Sequence, residues 1–292
     1  MRSPPDPVFE PRTFRLGRDA QMELGPKSRV MGIINVTPDS FSDGGLAATT
    51  DAAVAAALKM AAEGADIIDI GGESTRPGAE PVDAREEQRR ILPVIEALST
   101  QPGLLISVDT WRAETARLAL AAGAHLINDV WGLQREPEIA RIAAESGAAV
   151  AIMHTGRERE RLSDVIEDQF FWFKTSLAIA REAGIEDDQI ILDPGFGFAK
   201  DADDNLELMA RFTELHALGL PLLAGTSRKR FIGGLTGREA PDRDVGTTAT
   251  SVVLRLAGAA MFRVHNVAFN IDGLAVADAM VQSSREKERG HG

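Results

Sequence analysis

Short apolar runs alternate with longer amphipathic stretches along most of this chain, and the alternation limits the folds that it can adopt. The apolar runs predict eight strands, at residues 30–34, 67–70, 104–108, 125–127, 149–153, 189–192, 221–224 and 261–264. The amphipathic stretches predict a helix after each strand, at residues 51–63, 84–98, 113–122, 137–146, 163–183, 205–218, 245–257 and 272–287. Strands that are each followed by a helix indicate a parallel sheet, and eight such units favour closure into a (β/α)₈ TIM barrel. A doubly wound open sheet is the alternative.

Glycines mark the ends of most predicted helices. The residue after a helix often adopts a left-handed backbone conformation, which glycine adopts most easily. We therefore predict that helices end at Gly64, Gly123, Gly147, Gly184, Gly219 and Gly258. No linker interrupts the repeat, so we predict one barrel domain over residues 28–292. The proline-rich residues 1–27 lie outside the repeat and predict an N-terminal arm or a short hairpin that closes the barrel floor.

Composition excludes several classes of protein. The 292-residue chain has no cysteine, which excludes disulfides and thiolate metal sites, and its net charge of -12 argues against nucleic-acid binding. No apolar run reaches the roughly 18 residues that span a bilayer, and the first residues lack the apolar core of a signal peptide. We therefore expect a cytoplasmic protein with no membrane partner.

A long polar loop follows the first predicted strand. Asn35 ends an apolar run, although a buried strand has no structural need for an amide at that point. Residues 37–45 are mostly Thr, Pro, Asp, Ser and Gly, and loops of this length are usually functional or disordered. We interpret Asn35 as a ligand-facing residue and residues 37–45 as a mobile active-site loop. An ordinary surface turn is the alternative.

Unusual polar residues follow all eight predicted strands. Active sites of TIM barrels form at this end of the strands. Helix capping or a turn would account for any one of these residues, but hardly for eight at one barrel mouth. The set comprises Asn35, Asp69, Asp109 with Thr110, Asn128 with Asp129, His154, Asp193, residues 225–230, and Arg263 with His265.

Two kinds of side chain meet at this predicted mouth. Asp109, Asn128 and Asp193 offer hydrogen-bond acceptors, and such a pocket suits a flat heterocycle with several N–H groups, such as a pterin or a purine. The second kind is cationic, and in a chain of net charge -12 it suggests a phosphate or diphosphate ligand. Its members are Arg76, Arg228, Lys229, Arg263 and His265. Asn35 and Asp39 are candidate oxygen ligands for Mg²⁺, with diphosphate oxygens completing the octahedron.

The basic residues 228–230 are compatible with two roles besides anion binding. One is a solvated charge run at the start of a helix, although the helix dipole disfavours cations there. The second is a Schiff base on Lys229, although the flanking arginines suit anion binding better.

Several long segments match one family in order. From about residue 30 to residue 274, nearly the whole chain, the sequence closely resembles the dihydropteroate synthases of the folate pathway. The matching motifs are Gly32-Ile-Ile-Asn-Val-Thr-Pro-Asp-Ser-Phe-Ser-Asp-Gly-Gly45, Asp69-Ile-Gly-Gly-Glu-Ser-Thr-Arg-Pro-Gly78, Ser107-Val-Asp-Thr110, Ile127-Asn-Asp-Val130, Leu192-Asp-Pro-Gly-Phe-Gly-Phe198, Gly225-Thr-Ser-Arg-Lys229 and Arg263-Val-His265. Together they are far more specific than one short pattern.

The resemblance implies that 6-hydroxymethyl-7,8-dihydropterin diphosphate and 4-aminobenzoate condense to 7,8-dihydropteroate and diphosphate, with Mg²⁺ at Asn35. It implies a pterin site of Asp109, Asn128, Met153, Asp193, Gly225 and Lys229. It implies diphosphate ligands at Asn35, Thr75, Arg263 and His265. It implies an aminobenzoate pocket of Phe41, Thr75, Arg76, Pro77, Phe198, Ser227 and Arg228. The implied catalytic set is Asp109, Lys229, Asn35, Arg263 and His265, and the resemblance also implies a sulfonamide target and a homodimer.

The implied chemistry is a dissociative displacement. Diphosphate leaves once its charge is neutralised, Asp109 stabilises the resulting cation, and the aniline nitrogen attacks. The loops at residues 37–45 and 73–78 would close to exclude water. Two alternatives remain: methyl transfer from methyltetrahydrofolate to a corrinoid protein on the same kind of barrel, and a catalytically inactive pterin-binding protein.

The chain departs from the family pattern in three places, and one of them is the arm before Ser28, which is longer than the family needs. Residues 155–161 read Thr-Gly-Arg-Glu-Arg-Glu-Arg where the family often has a Gly-x-Pro and a Met-Gln, which puts the role of this loop in doubt. Asn266 stands where Asp is commoner, and an asparagine there can still cap the last helix.

Overall fold

Strands and helices alternate through the part of the chain that the computed structural model describes, which is residues 6–37, 45–73 and 82–289. The strands are β1 (Arg12–Arg15), β2 (Gln21–Leu24), β3 (Arg29–Asn35), β4 (Ile67–Gly71), β5 (Leu105–Asp109), β6 (Leu126–Asp129), β7 (Ala149–Met153), β8 (Ile190–Asp193), β9 (Leu223–Ala224) and β10 (Met261–Val264). The α-helices are α1 (Gly45–Ala62), α2 (Ala84–Ser99), α3 (Ala113–Ala122), α4 (Glu138–Ser146), α5 (Val165–Glu182), α6 (Ala202–Ala210), α7 (Arg230–Thr236), α8 (Asp244–Leu256) and α9 (Val267–Arg289). Short 3-10 helices cover Asp6–Phe9, Asp187–Gln189, Phe212–Leu218 and Ala240–Asp242.

Strands β3 to β10 form one parallel sheet of eight strands in the order β8-β7-β6-β5-β4-β3-β10-β9. A further parallel bridge joins Leu192 of β8 to Leu222, next to β9, and so brings the two edges of the sheet together. The sheet is a nearly closed barrel with helices between its strands. This confirms the predicted (β/α)₈ fold and excludes the open doubly wound alternative.

The register places the polar ends of neighbouring strands side by side. Asn35 of β3 pairs with Gly71 of β4, and Gly71 pairs with Asp109 of β5. Asp109 pairs in turn with Asn128 of β6. Because paired residues of a parallel sheet lie at similar heights, these ends form one rim of the barrel.

Two apolar layers enclose the strands. Alternate residues point to opposite faces of a strand, so Ile68 and Ile70 of β4 pack against the helices. Ile67 instead packs inside the barrel. The interior layer also contains residues from the starts of other strands, such as Met31, Leu126 and Met261.

Strands β1 and β2 form an antiparallel hairpin. Four buried side chains of the hairpin region join the interior layer of the barrel: Phe14, Leu16, Met22 and Leu24. Because their barrel partners include the first residues of several strands, the hairpin covers the amino-terminal end of the barrel. The mouth at the opposite end is left for the polar residues.

The helix boundaries confirm some predictions and correct others. The six glycines predicted at helix ends all have positive φ, from 70° at Gly147 to 128° at Gly123. The predicted helix at residues 205–218 is wrong, because α6 ends at Ala210 and a 3-10 helix follows. The chain leaves α-helical geometry at Arg211 (φ -105°, ψ 11°), and Phe212 then stacks on Phe196.

Helix α7 is not predicted by the sequence pattern, because Gly233 and Gly234 weaken its helical character. Helix α9 begins at Val267, earlier than predicted, and its start confirms the expected cap: Oδ1 of Asn266 accepts a hydrogen bond from the backbone N–H of Phe269 over 3.1 Å. No helix in the described ranges is both long and apolar enough to cross a membrane.

Candidate active site

Alternation along the strands decides which polar side chains enter the barrel. In β4, Ile67 lies inside and Ile68 outside, so Asp69 points inward. The same alternation turns a polar residue inward near the end of five further strands: Asn35, Asp109, Asn128, Asp193 and Arg263. The predicted polar mouth is therefore present in six strands of the barrel.

Arg263 joins two of these carboxylates. Its Nε donates to Oδ2 of Asp69 over 2.6 Å, and its Nη2 donates to Oδ2 of Asp109 over 2.6 Å. Nδ2 of Asn128 donates to the same Asp69 oxygen over 3.1 Å. The four side chains form a connected polar layer across the barrel interior, in which the guanidinium offsets the cost of burying two carboxylates. The sequence motifs assign Asp69 no specific role, although its place two residues after Ile67 marks it as inward-facing.

Burial shifts the ionisation of the carboxylates at the mouth. It raises the pKa of Asp109 to about 7, against the lowering effect of the positive charge on Arg263. Burial also raises the pKa of Asp193, whose Oδ1 accepts a hydrogen bond from the backbone N–H of Gly195 over 2.8 Å. Buried carboxyl groups with perturbed pKa values are typical of functional sites.

Two buried oxygen atoms of the polar layer lack a hydrogen-bond donor within the described residues. They are Oδ1 of Asp69 and Oδ1 of Asn128. A buried acceptor without a donor is destabilising, so native proteins seldom retain one without a purpose. A ligand that presents several N–H groups would satisfy both, as the predicted heterocycle does.

Lys229 reaches the same region from the start of α7, where it is the residue that precedes the first helical turn. Its Nζ lies 4.1 Å from the centroid of the Phe198 ring. Burial lowers the pKa of Lys229 to about 8, while the negative charge of Asp193 acts in the opposite direction. Glycine is required beside it, because a Cβ at Gly197 would lie 3.0 Å from Cδ of Lys229 in a backbone with φ 77°.

An apolar wall borders the polar layer. Met153 and Phe198, both predicted site residues, are buried together with Val130. Trp111 and Trp131 pack against this group, and neither was among the predicted site residues. The sequence did point to both tryptophans as site residues, because each follows a predicted polar strand end and tryptophan is rare in this chain. A flat ring bound to the polar layer would contact this wall.

Ser227 and His265 form a pair at the ends of β9 and β10. The backbone N–H of His265 donates to Oγ of Ser227 over 3.1 Å. Oγ of Ser227 and Nδ1 of His265 lie 2.9 Å apart. Because Oγ already accepts one hydrogen bond, its own proton can be donated to Nδ1, which leaves Nε2 as the protonated, donating nitrogen.

The polar residues that were predicted at the mouth but face outward include His154 and Asp129, so that part of the prediction is wrong. His154 continues the outward series of Val150 and Ile152, and its Nε2 is hydrogen-bonded to Asp168 of α5 over 2.9 Å. Asp129 follows the inward Asn128, and its carboxylate accepts the backbone N–H groups of the next turn. In both cases the alternation of the strand decides the direction.

The remaining predicted residues divide into three groups. Gly225 lies beside the acceptor layer, since a Cβ there would be 3.4 Å from Oδ2 of Asp193. Arg228 donates to both carboxylate oxygens of Asp244, over 2.7 Å and 2.8 Å, so its aminobenzoate role stays a prediction. Several predicted residues lie outside the described ranges: Asp39, Phe41, Thr75, Arg76 and Pro77.

Known proteins share this architecture and sequence. Residues 31–265 match the model of a family described as pterin binding enzyme. The chain is 47% identical to a dihydropteroate synthase of Bacillus subtilis (strain 168), over 82% of this chain and 84% of that protein. A structure of a dihydropteroate synthase from Clostridium difficile, in the presence of pteroic acid, has a TM-score of 0.86 and 43% identity, and covers 89% of this chain and 98% of its own. A Xanthomonas albilineans dihydropteroate synthase with 4-aminobenzoic acid has a TM-score of 0.86 and 45% identity, and covers 92% of this chain and 98% of its own.

Proposed function

The chain belongs to the pterin-binding enzyme family, and we propose that it catalyses the dihydropteroate synthase reaction. In this reaction 6-hydroxymethyl-7,8-dihydropterin diphosphate and 4-aminobenzoate give 7,8-dihydropteroate and diphosphate. The reaction class that we propose is transfer of an alkyl or aryl group other than methyl. Two relatives support the choice of substrates, since the structure of one was obtained in the presence of pteroic acid and that of another with 4-aminobenzoic acid.

The layer of inward acceptors is the observation that carries this proposal. Asp69 and Asn128 keep buried oxygen atoms without a donor among the described residues, and Asp109 and Asp193 place carboxyl groups beside them. A dihydropterin has several ring and exocyclic N–H groups on one edge, which can donate to such a set. Its flat ring would then pack against Met153 and the neighbouring apolar wall.

The diphosphate would lie at the outer side of this layer. Arg263 and the Nε2 proton of His265 supply donors there, and Ser227 fixes the orientation of the imidazole. Within the described residues no group of three His, Asp or Glu side chains is placed to hold a metal. One amide oxygen from Asn35 still suits a Mg²⁺ that takes most of its ligands from substrate phosphates, so we retain Mg²⁺ as the proposed cofactor. Bound there, it would neutralise charge on the leaving diphosphate.

We further propose a dissociative displacement. With a pterin bound against the polar layer, the carboxylate of Asp109 would lie near the positive charge that develops, and its ionised form would stabilise that charge. The aniline nitrogen then needs orientation more than a strong base. Positional isotope exchange within the diphosphate checks this order, because its absence when 4-aminobenzoate is omitted would contradict a free cation.

Product analysis tests the proposed function. The purified chain is incubated with the pterin diphosphate, 4-aminobenzoate and Mg²⁺, and we expect diphosphate and dihydropteroate in equal amounts. Binding of the pterin diphosphate without turnover would favour an inactive pterin-binding protein. Methyl transfer from methyltetrahydrofolate to a corrinoid protein, with no diphosphate released, would favour the methyltransferase alternative.

A homodimer is also proposed. Exposed apolar side chains on α8 and α9 offer a surface for a second copy, among them Val253, Phe269, Val276 and Met280. Light scattering after gel filtration should then give twice the 31.3 kDa mass of one chain, and Phe269→Glu with Met280→Glu should give the monomer mass. The cytoplasmic location stays a prediction from the sequence.

A further inference from the structure

The loop at residues 155–161, where the chain departs from its family, is held at three points. Nη1 and Nη2 of Arg159 donate to the two carboxylate oxygens of Asp168, over 2.8 Å and 2.6 Å. Nη1 of Arg161 donates to Oδ2 of Asp204 in α6 over 2.8 Å. Gly156 packs closely against the loop after β8, since a Cβ there would lie 3.3 Å from Cβ of Ala199 and closer still to Arg161.

A buried chain of hydrogen bonds ties this loop to the loop after β8. Nζ of Lys200 donates to Nδ1 of His154 over 2.8 Å and to the backbone carbonyl of Gly195 over 2.9 Å. His154 is bonded in turn to Asp168, the partner of Arg159. Lys200 is only 7% exposed, and burial lowers its pKa to about 7. The two loops are thus fixed relative to each other, and Phe198 is fixed with them.

Arg157 is presented by this rigid loop at the edge of the candidate site. Its guanidinium carbon lies 4.6 Å from the centroid of the Phe198 ring, and Nζ of Lys229 lies 4.1 Å from the same centroid. Arg157 is half-buried, and its positive charge contributes to the lowered pKa of Lys229. Two cations therefore lie against the ring of Phe198: Lys229, which belongs to the proposed pterin site, and Arg157, which belongs to the loop at residues 155–161.

The second substrate brings a carboxylate to this edge. For condensation the amine of 4-aminobenzoate has to reach the pterin, so its carboxylate would point away from the polar layer, toward the edge of the site at which Arg157 and Phe198 lie. We infer that Arg157 supplies positive charge to the carboxylate of the second substrate and is a specificity-determining residue of this chain. The inference rests on the proposed function.

Comparison of a charged and a neutral second substrate tests this inference. For Arg157→Gln we expect kcat/KM with 4-aminobenzoate to fall about tenfold, as for the loss of one charged hydrogen bond, while kcat/KM with neutral 4-aminobenzamide stays unchanged. Arg157→Lys should recover part of the selectivity. If 4-aminobenzamide is not turned over, the same ratio is taken from the dissociation constants of the two compounds in the presence of 6-hydroxymethylpterin and diphosphate.

Arg135 offers a matched control. Its guanidinium carbon lies 4.4 Å from the ring centroids of both Trp111 and Trp131, so it is also an arginine stacked on aromatic rings at the mouth. Arg135→Gln should leave the selectivity ratio unchanged. An equal loss with both second substrates in Arg157→Gln, or no loss with either, would overturn the inference. Absence of dihydropteroate formation by the unaltered chain would overturn the proposed function instead, so the two failures differ.

Discussion

Nη2 of Arg263 donates a hydrogen bond to Oδ2 of Asp109 over 2.6 Å, which links the last strand of the barrel to a strand 154 positions earlier in the sequence. The carboxylate is therefore stabilised in place before any substrate arrives. Such preorganisation is effective in catalysis because the charge need not be reoriented during the reaction.

Asp109→Asn should reduce kcat/KM for the pterin diphosphate about 100-fold or more, since it removes a charge aimed at the developing cation. Steady-state kinetics with saturating 4-aminobenzoate measures this. Asp129→Asn is the matched control, because Asp129 is the buried carboxylate of the adjacent strand that faces outward to a turn. It should lower the free energy of unfolding by about 1–3 kcal/mol and leave kcat/KM of the folded protein within about threefold. Equal kinetic losses in the two variants would contradict the role of Asp109.

Asp109 should also make stability depend on pH. Its pKa is raised from 3.8 to about 7 in the folded chain, mainly by burial, so the folded state retains the proton over this range more than the unfolded state does. The associated stability is fully present below pH 3.8 and is lost as pH rises through about 7. Urea unfolding of the unaltered chain and of Asp109→Asn at pH 4 to 9 checks this. The variant should gain relative stability up to about pH 7, by roughly 1–4 kcal/mol, and the difference should stay constant above about pH 8. A difference that does not change with pH would show that Asp109 is ionised throughout.

Ser227→Ala should weaken binding of the pterin diphosphate rather than of 4-aminobenzoate. The hydroxyl is engaged with the backbone N–H and Nδ1 of His265, so its loss removes the contact that orients the imidazole through Nδ1. We expect KM for the pterin diphosphate to rise about three- to tenfold, as for the loss of one net hydrogen bond. Ser227→Thr, which keeps the hydroxyl, should remain close to the unaltered chain. A rise confined to KM for 4-aminobenzoate would instead support the direct contact with 4-aminobenzoate that the family resemblance implies for Ser227.

The inward and outward positions of the strand ends could be predicted from the sequence to a large extent. Period-two alternation from Ile67 gives Asp69, and from Leu126 it gives Asn128. The same rule assigns Asp129 and His154 to the outer face, where they are found, so their placement at the mouth was an avoidable error. The alternation of inward and outward residues continues beyond the last residue of each strand, so it also gives the direction of the residues that follow the strand.

The partners of the site residues could not be predicted in this way. The pairing of Arg263 with Asp69 and Asp109 depends on the strand order of the sheet, which places β10 next to β3 and within reach of β4 and β5. The sequence motifs implied only that Arg263 binds the diphosphate, and they did not indicate its two carboxylate partners. The stacking of Arg157 on Phe198 likewise joins two loops whose relation follows from the buried Lys200 and His154. Neither loop has the regular alternation of apolar and polar residues that would allow this contact to be predicted from the sequence.

A buried ion pair far from the mouth should govern stability alone. Arg255 of α8 is fully buried, and its Nε donates to Oδ1 of Asp278 in α9 over 2.5 Å. Asp278 also accepts hydrogen bonds from the backbone N–H and Oγ of Ser28, at the start of β3. Asp278→Ala leaves the guanidinium charge buried without its partner, so it should lower the free energy of unfolding by about 3–5 kcal/mol.

Urea unfolding of Asp278→Ala measures that loss, with kcat/KM for the pterin diphosphate taken where the variant is folded. The double variant Arg255→Met with Asp278→Leu should recover most of the stability, because well-packed apolar residues can replace a buried ion pair. Glu145→Ala removes an exposed partner of Arg141 and should leave the unfolding midpoint unchanged. We expect kcat/KM to be unaffected in all three variants. Asp278 is bonded to Ser28 at the start of β3, whereas Asn35 of the candidate site lies at the opposite end of that strand. A loss of kcat/KM at full folding would mean that the helix pair α8 and α9 transmits strain to the mouth, and a loss of stability below about 1 kcal/mol would mean that water screens the pair.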